Sequence, residues 1–415
     1  MTKELQLGLF GFGCVGQGLY GVLNETRGIE APIAKIAVKN RDKQRPIGPE
    51  NFTYHAPELL QNPELNVIVE LIDTADEAFE IVRSALTNGK AVVTANKKMV
   101  AEHLEELVAL QQEHNVPLLY EASCAGSIPI IRNLEEYYDN DLLSGLSGIL
   151  NGTCNYILSR MFNEGVAYED VLQEAQRLGF AESDPTLDVD GFDAKYKLVI
   201  LTTHAFGVFQ QPEAVLNVGI RGVRAADFQF AREKGYKLQL VATSVKVAEN
   251  QIASFVLPQF VAADHLLYGV DREFNGIIVE AGFAEQQFFV GKGAGSYPTA
   301  SAVLSDVSAL RYNYRYQYNK VRQADNLAPT TDVPLRVYLR YTPGQAIADE
   351  LPFQEIAVRH NSSNLNYVVG DILLSDLLQQ ADELRKGEVF LGLMPEQPGL
   401  QTPEPTTETL AAVAG

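Results

Sequence analysis

Short apolar runs alternate with stretches of helical period through the first third of the chain. Leu5-Gln-Leu-Gly-Leu-Phe10 reads as a strand, and Gln17-Gly-Leu-Tyr-Gly-Val-Leu opens a helix. Ala34–Val38, Asn66–Ile72, Lys90–Thr94 and Val116–Tyr120 read as further strands, and Ala78–Asn88 and Ala101–His114 as helices. Gly89 supplies the helix stop expected before Lys90. Strands that take turns with helices predict a parallel, doubly wound sheet with right-handed crossovers.

The pattern then changes. Leu146–Leu150 predicts a strand, Tyr156–Asn163 a helix and 170–178 another. A loop punctuated by Pro185 and Gly191 leads to an apolar helix from Leu198 to Gly207. Val215 to about Val290 reads as a mixed α/β region, with Leu238–Val247 as one of its strands. Leu335–Tyr341, Glu355–Arg359, Asn366–Val369 and Glu388–Leu391 predict a last set of strands, with a helix over Leu374–Leu384. This fits a small βαββαβ unit. The final stretch, 395–415, is rich in Pro, Thr and Glu and predicts a disordered tail.

The 415 residues, 46% of them hydrophobic, are enough for two or three domains. A net charge of −20 argues against nucleic acid or an anionic membrane as a partner. No apolar run reaches a membrane span, and no signal peptide is expected. Cys14, Cys124 and Cys154 are scattered and form neither a disulfide framework nor a zinc pattern, which fits a cytoplasmic protein.

The first strand runs directly into Gly11-Phe-Gly-Cys14-Val15-Gly16. A G-x-G-x-x-G turn between strand and helix is the dinucleotide-binding fingerprint of a Rossmann-type sheet. Gly11 permits the turn, Gly13 lets a pyrophosphate approach, and Gly16 lets helix and strand pack. The second strand ends not in a carboxylate but in Lys39-Asn-Arg41-Asp-Lys43. That cluster suits the 2′-phosphate of NADP(H) in preference to NAD(H), or is simply a solvated basic turn; Asp42 weighs against the phosphate reading. Thr94-Ala-Asn-Lys97 stands at the carboxyl end of a strand, where such sheets bind ligands. It too has a bland reading, a helix start with exposed lysines.

The densest chemistry lies in Glu182-Ser-Asp184-Pro-Thr-Leu-Asp188-Val-Asp190-Gly-Phe-Asp193-Ala-Lys195-Tyr-Lys197. Asp193 and Lys197 are i and i+4 and share a helix face. Either this is a solvated acidic loop with a surface ion pair, or Lys197 points inward as an acid–base or electrostatic group. Asn151-Gly-Thr153 opens another helix, whose amides suit a carboxylate ligand or are merely well capped.

These pieces, in this order, with Glu121-Ala-Ser-Cys124-Ala-Gly126-Ser-Ile128-Pro129, Gly179-Phe-Ala-Glu182-Ser-Asp-Pro185 and Gly291-Lys-Gly-Ala-Gly295-Ser-Tyr-Pro-Thr299, resemble homoserine dehydrogenase over roughly residues 5–325. That family reduces L-aspartate 4-semialdehyde to L-homoserine with NAD(P)H, in threonine and methionine biosynthesis. The resemblance implies Lys197 as proton donor and Lys97 as a second catalytic lysine near the nicotinamide. It implies Glu182, Asp193 and Asp188 around the substrate, with Thr153 beside them. Gly179, Gly295 and Thr74 then touch the cofactor, and Glu121, Cys124, Gly126 and Ile128 hold a monovalent cation, Na+ or K+, largely through carbonyls. It also implies a homodimer through the middle domain.

The expected organisation follows: a nucleotide-binding domain over 1–130, an α+β catalytic and dimerisation domain over 131–300, and a helix returning to the first domain over 301–330. A small ACT-like unit over 334–394 is regulatory or a structural appendage. Two other readings exist, another Rossmann amino-acid dehydrogenase or a non-catalytic nucleotide sensor. Glu182, Asp193 and Lys197 argue against a sensor, which needs no proton donor. A homoserine oxidation assay separates the two dehydrogenases.

Overall fold

The structure, a computed structural model, describes residues 4–400 apart from 141, 283, 324–326, 343, 344, 346 and 364. The chain divides into two compact units, one running to Asp139 and resuming over Gly291–Asn319, the other covering Asn140–Val290 and the chain from Lys320.

In the first unit the strands are β1 (Leu7–Phe10), β2 (Ile33–Ala37), β3 (Phe52–Thr53), β4 (Val67–Glu70), β5 (Ala91–Thr94) and β6 (Leu118–Leu119). They lie in the order β3-β2-β1-β4-β5-β6, and every pairing is parallel. The chain reverses its direction of travel across the sheet between β1 and β4, the switch point where such sheets bind nucleotides. Strands β1, β4 and β5 are buried at every position, as their unbroken apolar runs require of a sheet covered on both faces. The helix Ser296–Leu310 packs on the helix Cys14–Glu25. Tyr316 and Tyr318 are buried with Tyr120, whose hydroxyl lies 2.8 Å from that of Tyr318. The helix Lys97–His114 starts earlier than its apolar period suggests, because Asn96 caps it by accepting from the Met99 amide.

In the second unit the strands are β7 (Leu143–Ile149), β8 (Leu216–Asn217), β9 (Tyr236–Ala248), β10 (Gln251–Ala262), β11 (Phe274–Ala281), β12 (Glu285–Lys292), β13 (Ala328–Pro329), β14 (Pro334–Tyr341), β15 (Glu355–Asn361), β16 (Asn366–Leu373) and β17 (Phe390–Leu393). The main order is β12-β11-β7-β9-β10-β17-β14-β16-β15, with β8 and β13 also on β10. The helix Phe192–Phe206 packs on β7, β9 and β10 and is buried from Asp193 onward. Its sequence is apolar on nearly every side, as a helix enclosed on all faces must be. The helix Gly152–Glu164 packs on β9 and β11.

From β14 onward the elements run strand, short helix, strand, strand, paired helices, strand. The order β17-β14-β16-β15 is antiparallel throughout, the split βαβ arrangement. The 334–394 segment does not stand apart, however. Gln259 of β10 pairs with Leu393 of β17. Leu216, Val218, Phe255 and Leu257 share one apolar core with Leu335, Val337, Leu339 and Leu391. Residues 395–400 of the expected disordered tail also correct the sequence reading. The Gln397 side chain accepts from the Arg336 amide at 3.1 Å and donates to the Arg336 carbonyl at 2.8 Å, and Leu400 packs on the core. The rest of that tail lies outside the described residues. Among the described residues no helix is long and apolar enough to cross a membrane.

Candidate active site

The first unit carries a nucleotide cradle. Gly11 has φ +90°, and a Cβ there would come 2.4 Å from the Leu71 carbonyl oxygen, so only glycine fits the turn. At Gly13 a Cβ would meet nothing within 4 Å, which leaves the backbone open to a phosphate. The helix Cys14–Glu25 begins here and presents its amides. The chain after Gly295 closes on the same place: Ser296 Oγ donates to the Cys14 carbonyl at 2.7 Å. Thr74 occupies the N-cap position of the helix Ala75–Thr87.

Lys39, Arg41 and Lys43 are exposed beyond β2. Lys39 pairs with Glu77, and the Arg41 guanidinium lies 4.6 Å from the centre of the Tyr54 ring.

Lys97 is the first residue of its helix, directly after the cap Asn96. Behind it is a network that sequence reasoning missed. Thr94 Oγ1 donates to the buried Glu70 carboxyl at 2.6 Å and accepts from the Asn96 amide at 3.0 Å. Glu70 also accepts from the Ile72 amide at 2.6 Å, and Asn96 Nδ2 donates to the Ile72 carbonyl at 3.1 Å. Burial pushes the Glu70 carboxyl up to about 7, helped by Asp73 and opposed by its two hydrogen bonds.

The 121–128 segment turns through Ala125 and Gly126, both left-handed. The Glu121 carboxylate accepts the Ile131 and Arg132 amides at 2.8 and 2.9 Å, which caps the short helix Ile130–Arg132. Burial, with Asp306 nearby, pushes Glu121 up to about 8. Among the described residues no three His, Cys, Asp or Glu side chains cluster as a metal site.

The second unit carries the acidic stretch, and the structure gathers its core around Asn151. Asn151 Nδ2 donates to Asp188 Oδ1 at 2.7 Å and to Asp193 Oδ2 at 2.9 Å. Lys197 Nζ donates to Asp193 Oδ2 at 2.8 Å and to the Leu150 carbonyl at 2.7 Å. The Lys197–Asp193 pair is 8% and 4% exposed, so the inward reading of this lysine holds. A buried ammonium is tolerable only with such partners. Asn151 Oδ1 accepts from the Cys154 amide and caps the helix Gly152–Glu164, while burial drives the Cys154 thiol pKa up. The Thr153 hydroxyl donates to the Phe180 carbonyl at 2.7 Å, fixing the turn that follows Gly179.

Glu182 stands on that turn with its side chain exposed, and its carbonyl accepts from Gln176 Nε2 at 2.9 Å. Among the described residues no hydrogen bond ties its carboxylate to the Asn151 cluster. Lys195 is buried as well, with its Nζ 4.9 Å from the centre of the Phe192 ring. Burial, and then Arg385, hold it down to about 8, against a smaller pull from Glu213.

Residues 11–121 match the model for the homoserine dehydrogenase NAD-binding domain, and residues 129–308 match the model for homoserine dehydrogenase itself. A homoserine dehydrogenase of Lactococcus lactis subsp. lactis is 37% identical over 314 residues, 73% of each chain. A solved homoserine dehydrogenase from Thiobacillus denitrificans superposes with a TM-score of 0.81 at 33% identity, covering 95% of this chain and 99% of that one. A hyperthermophilic archaeal homoserine dehydrogenase, solved as a mutant with NADPH, gives a TM-score of 0.65 at 28% identity over 76% of this chain and all of its own. With a dinucleotide cradle in one unit and a buried lysine–carboxylate cluster in the other, this chain belongs to the homoserine dehydrogenase family.

Proposed function

We propose that this oxidoreductase interconverts L-aspartate 4-semialdehyde and L-homoserine through Lys197. The observation that carries this assignment is the buried Lys197–Asp193–Asn151–Asp188 cluster. The nicotinamide, when bound, supplies or accepts the hydride. In the reducing direction Lys197, held by Asp193 at 2.8 Å, stabilises and protonates the alkoxide that develops at the carbonyl oxygen. Asp193 and Glu182 supply the negative charge for the substrate ammonium, Asp188 is a further acid of the site, and the amides at Thr153 suit the substrate carboxylate. Lys97 serves as the second lysine, near the nicotinamide, with Thr74, Gly179 and Gly295 as cofactor contacts.

The exposed Arg41 and Lys43 favour NADP(H) over NAD(H). The carbonyls of Glu121, Cys124, Gly126 and Ile128 form the candidate Na+ or K+ site. The three free thiols suit a reducing cytosol.

Steady-state oxidation of homoserine with NAD and NADP tests the reading. Lys197→Ala should lose about 10²–10⁴-fold in kcat, with cofactor binding unchanged. Arg41→Ala with Lys43→Ala should raise the KM for NADPH more than that for NADH. A Lys197→Ala variant with wild-type turnover sinks the catalytic assignment, and equal effects on the two cofactors sink the preference.

A further inference from the structure

Arg385 ends the helix Ala381–Arg385 in the C-terminal βαββαβ unit. Its Nη1 donates to both the backbone carbonyl and Oδ1 of Asn217, each at 3.1 Å. Its guanidinium carbon stands 5.2 Å from the centre of the Phe192 ring. Its ion pair with Asp382, whose side chain is 95% exposed, is screened by solvent and contributes little. The contacts of consequence are therefore those to Asn217 and Phe192.

Both lead to the catalytic stretch. Asn217 Nδ2 donates to the Asp190 carbonyl at 2.8 Å. Asp190 receives Arg221 through two bonds, of 2.8 and 2.9 Å, and the Ile220 amide donates to the Val189 carbonyl at 2.7 Å. The segment 217–221 is thus laced along 189–190, between Asp188 and Asp193. Phe192 is the first residue of the helix that carries Asp193 and Lys197. The C-terminal unit presses on the same segment elsewhere. A Cβ on Gly222 would come 2.2 Å from the Val389 carbonyl oxygen, and Arg340 donates to the Gly222 carbonyl at 2.5 Å.

We infer that Arg385 is a positioning residue, which fixes the first turn of the helix Phe192–Phe206, and with it Asp193 and Lys197, from the C-terminal unit. A guanidinium suits this task because its planar fork donates twice while its face lies on an aromatic ring. The inference rests on the catalytic reading of Lys197 and Asp193 given above.

The test uses the full chain with Arg385→Ala, Arg385→Lys and, as a control on an exposed neighbouring ion pair, Lys386→Ala. Arg385→Ala should raise the homoserine KM or lower kcat by roughly tenfold, the scale of one charge-assisted hydrogen bond, with the NADP KM unchanged. Amide hydrogen exchange should quicken in a peptide spanning 186–197 and not in β9 or β10. Arg385→Lys should fall between wild type and Arg385→Ala, and Lys386→Ala should match wild type. Unchanged exchange at 186–197, or exchange that rises evenly across the second unit together with a lower melting temperature, overturns the inference. A wild-type chain that oxidises no homoserine sinks the functional reading instead, and the exchange experiment then decides the positioning claim by itself.

Discussion

Lys195 and Lys197 sit two positions apart, and both are buried, but their surroundings differ. Lys197 meets a carboxylate, whereas Lys195 meets an aromatic ring and the charge of Arg385. Lys195 is held down to about 8 in the folded chain, against about 10.4 when unfolded. Its charge therefore costs stability below pH 8, and that cost fades as pH rises from about 8 toward 10. Lys195→Met should melt at a higher temperature than wild type at pH 7, with the difference shrinking at pH 10. A gain that stays the same at both pH values would show that burial of charge is not its cause. At this scale the sequence was partly readable. The Asp193–Lys197 pair follows from i,i+4 spacing on a helix, because the contact is local. The double role of Asn151 does not, because Asp188 and Asp193 reach it from 37 and 42 positions away.

Among the elements, the strands of the first unit were legible because parallel strands covered on both faces need continuous apolar runs. Strand β3, with only Phe52 and Thr53, has too short a run to carry a period. The Glu70–Thr94–Asn96 network was equally hidden, since a Glu inside an apolar run gives no hint of its partner. It ties the ends of β4 and β5 to the loops that bear Thr74 and Lys97. Thr94→Val leaves the buried Glu70 carboxyl without its hydroxyl donor and the Asn96 amide without its acceptor. A cost of about 1–3 kcal/mol is expected for each buried group left unpaired. The variant should melt lower, and its cofactor KM should rise more than its homoserine KM. An unchanged cofactor KM would show that the network serves stability alone.

For the molecule as a whole, the sheet of the second unit ends in β12, where Phe288 and Val290 are 36% and 52% exposed. An apolar edge strand left open invites pairing. If two copies pair through this edge, two-fold symmetry would close it. Phe288→Glu with Val290→Glu should give a monomer by light scattering where wild type gives a dimer; a wild-type monomer at micromolar concentration would remove the proposal. Truncation after Met394 should melt lower than truncation after Leu400, because it removes Gln397 and Leu400 from β14 and the core. The βαββαβ order was readable in the strand pattern, but its continuity with β10 was not. The apolar positions of β8 and β10 look the same whatever covers them.

That shared core has a consequence for descent. A module that buries its own hydrophobic face can be joined to a gene or lost from it at a linker. Here Leu216, Val218, Phe255 and Leu257 lie against the C-terminal strands, so a simple deletion would lay them bare. A chain of this family built without the segment would need polar residues or another cover at those four positions. Gain or loss of this segment would therefore require a coordinated change on two distant stretches of the gene, and its trace should be read on β8 and β10 as much as at the chain's end.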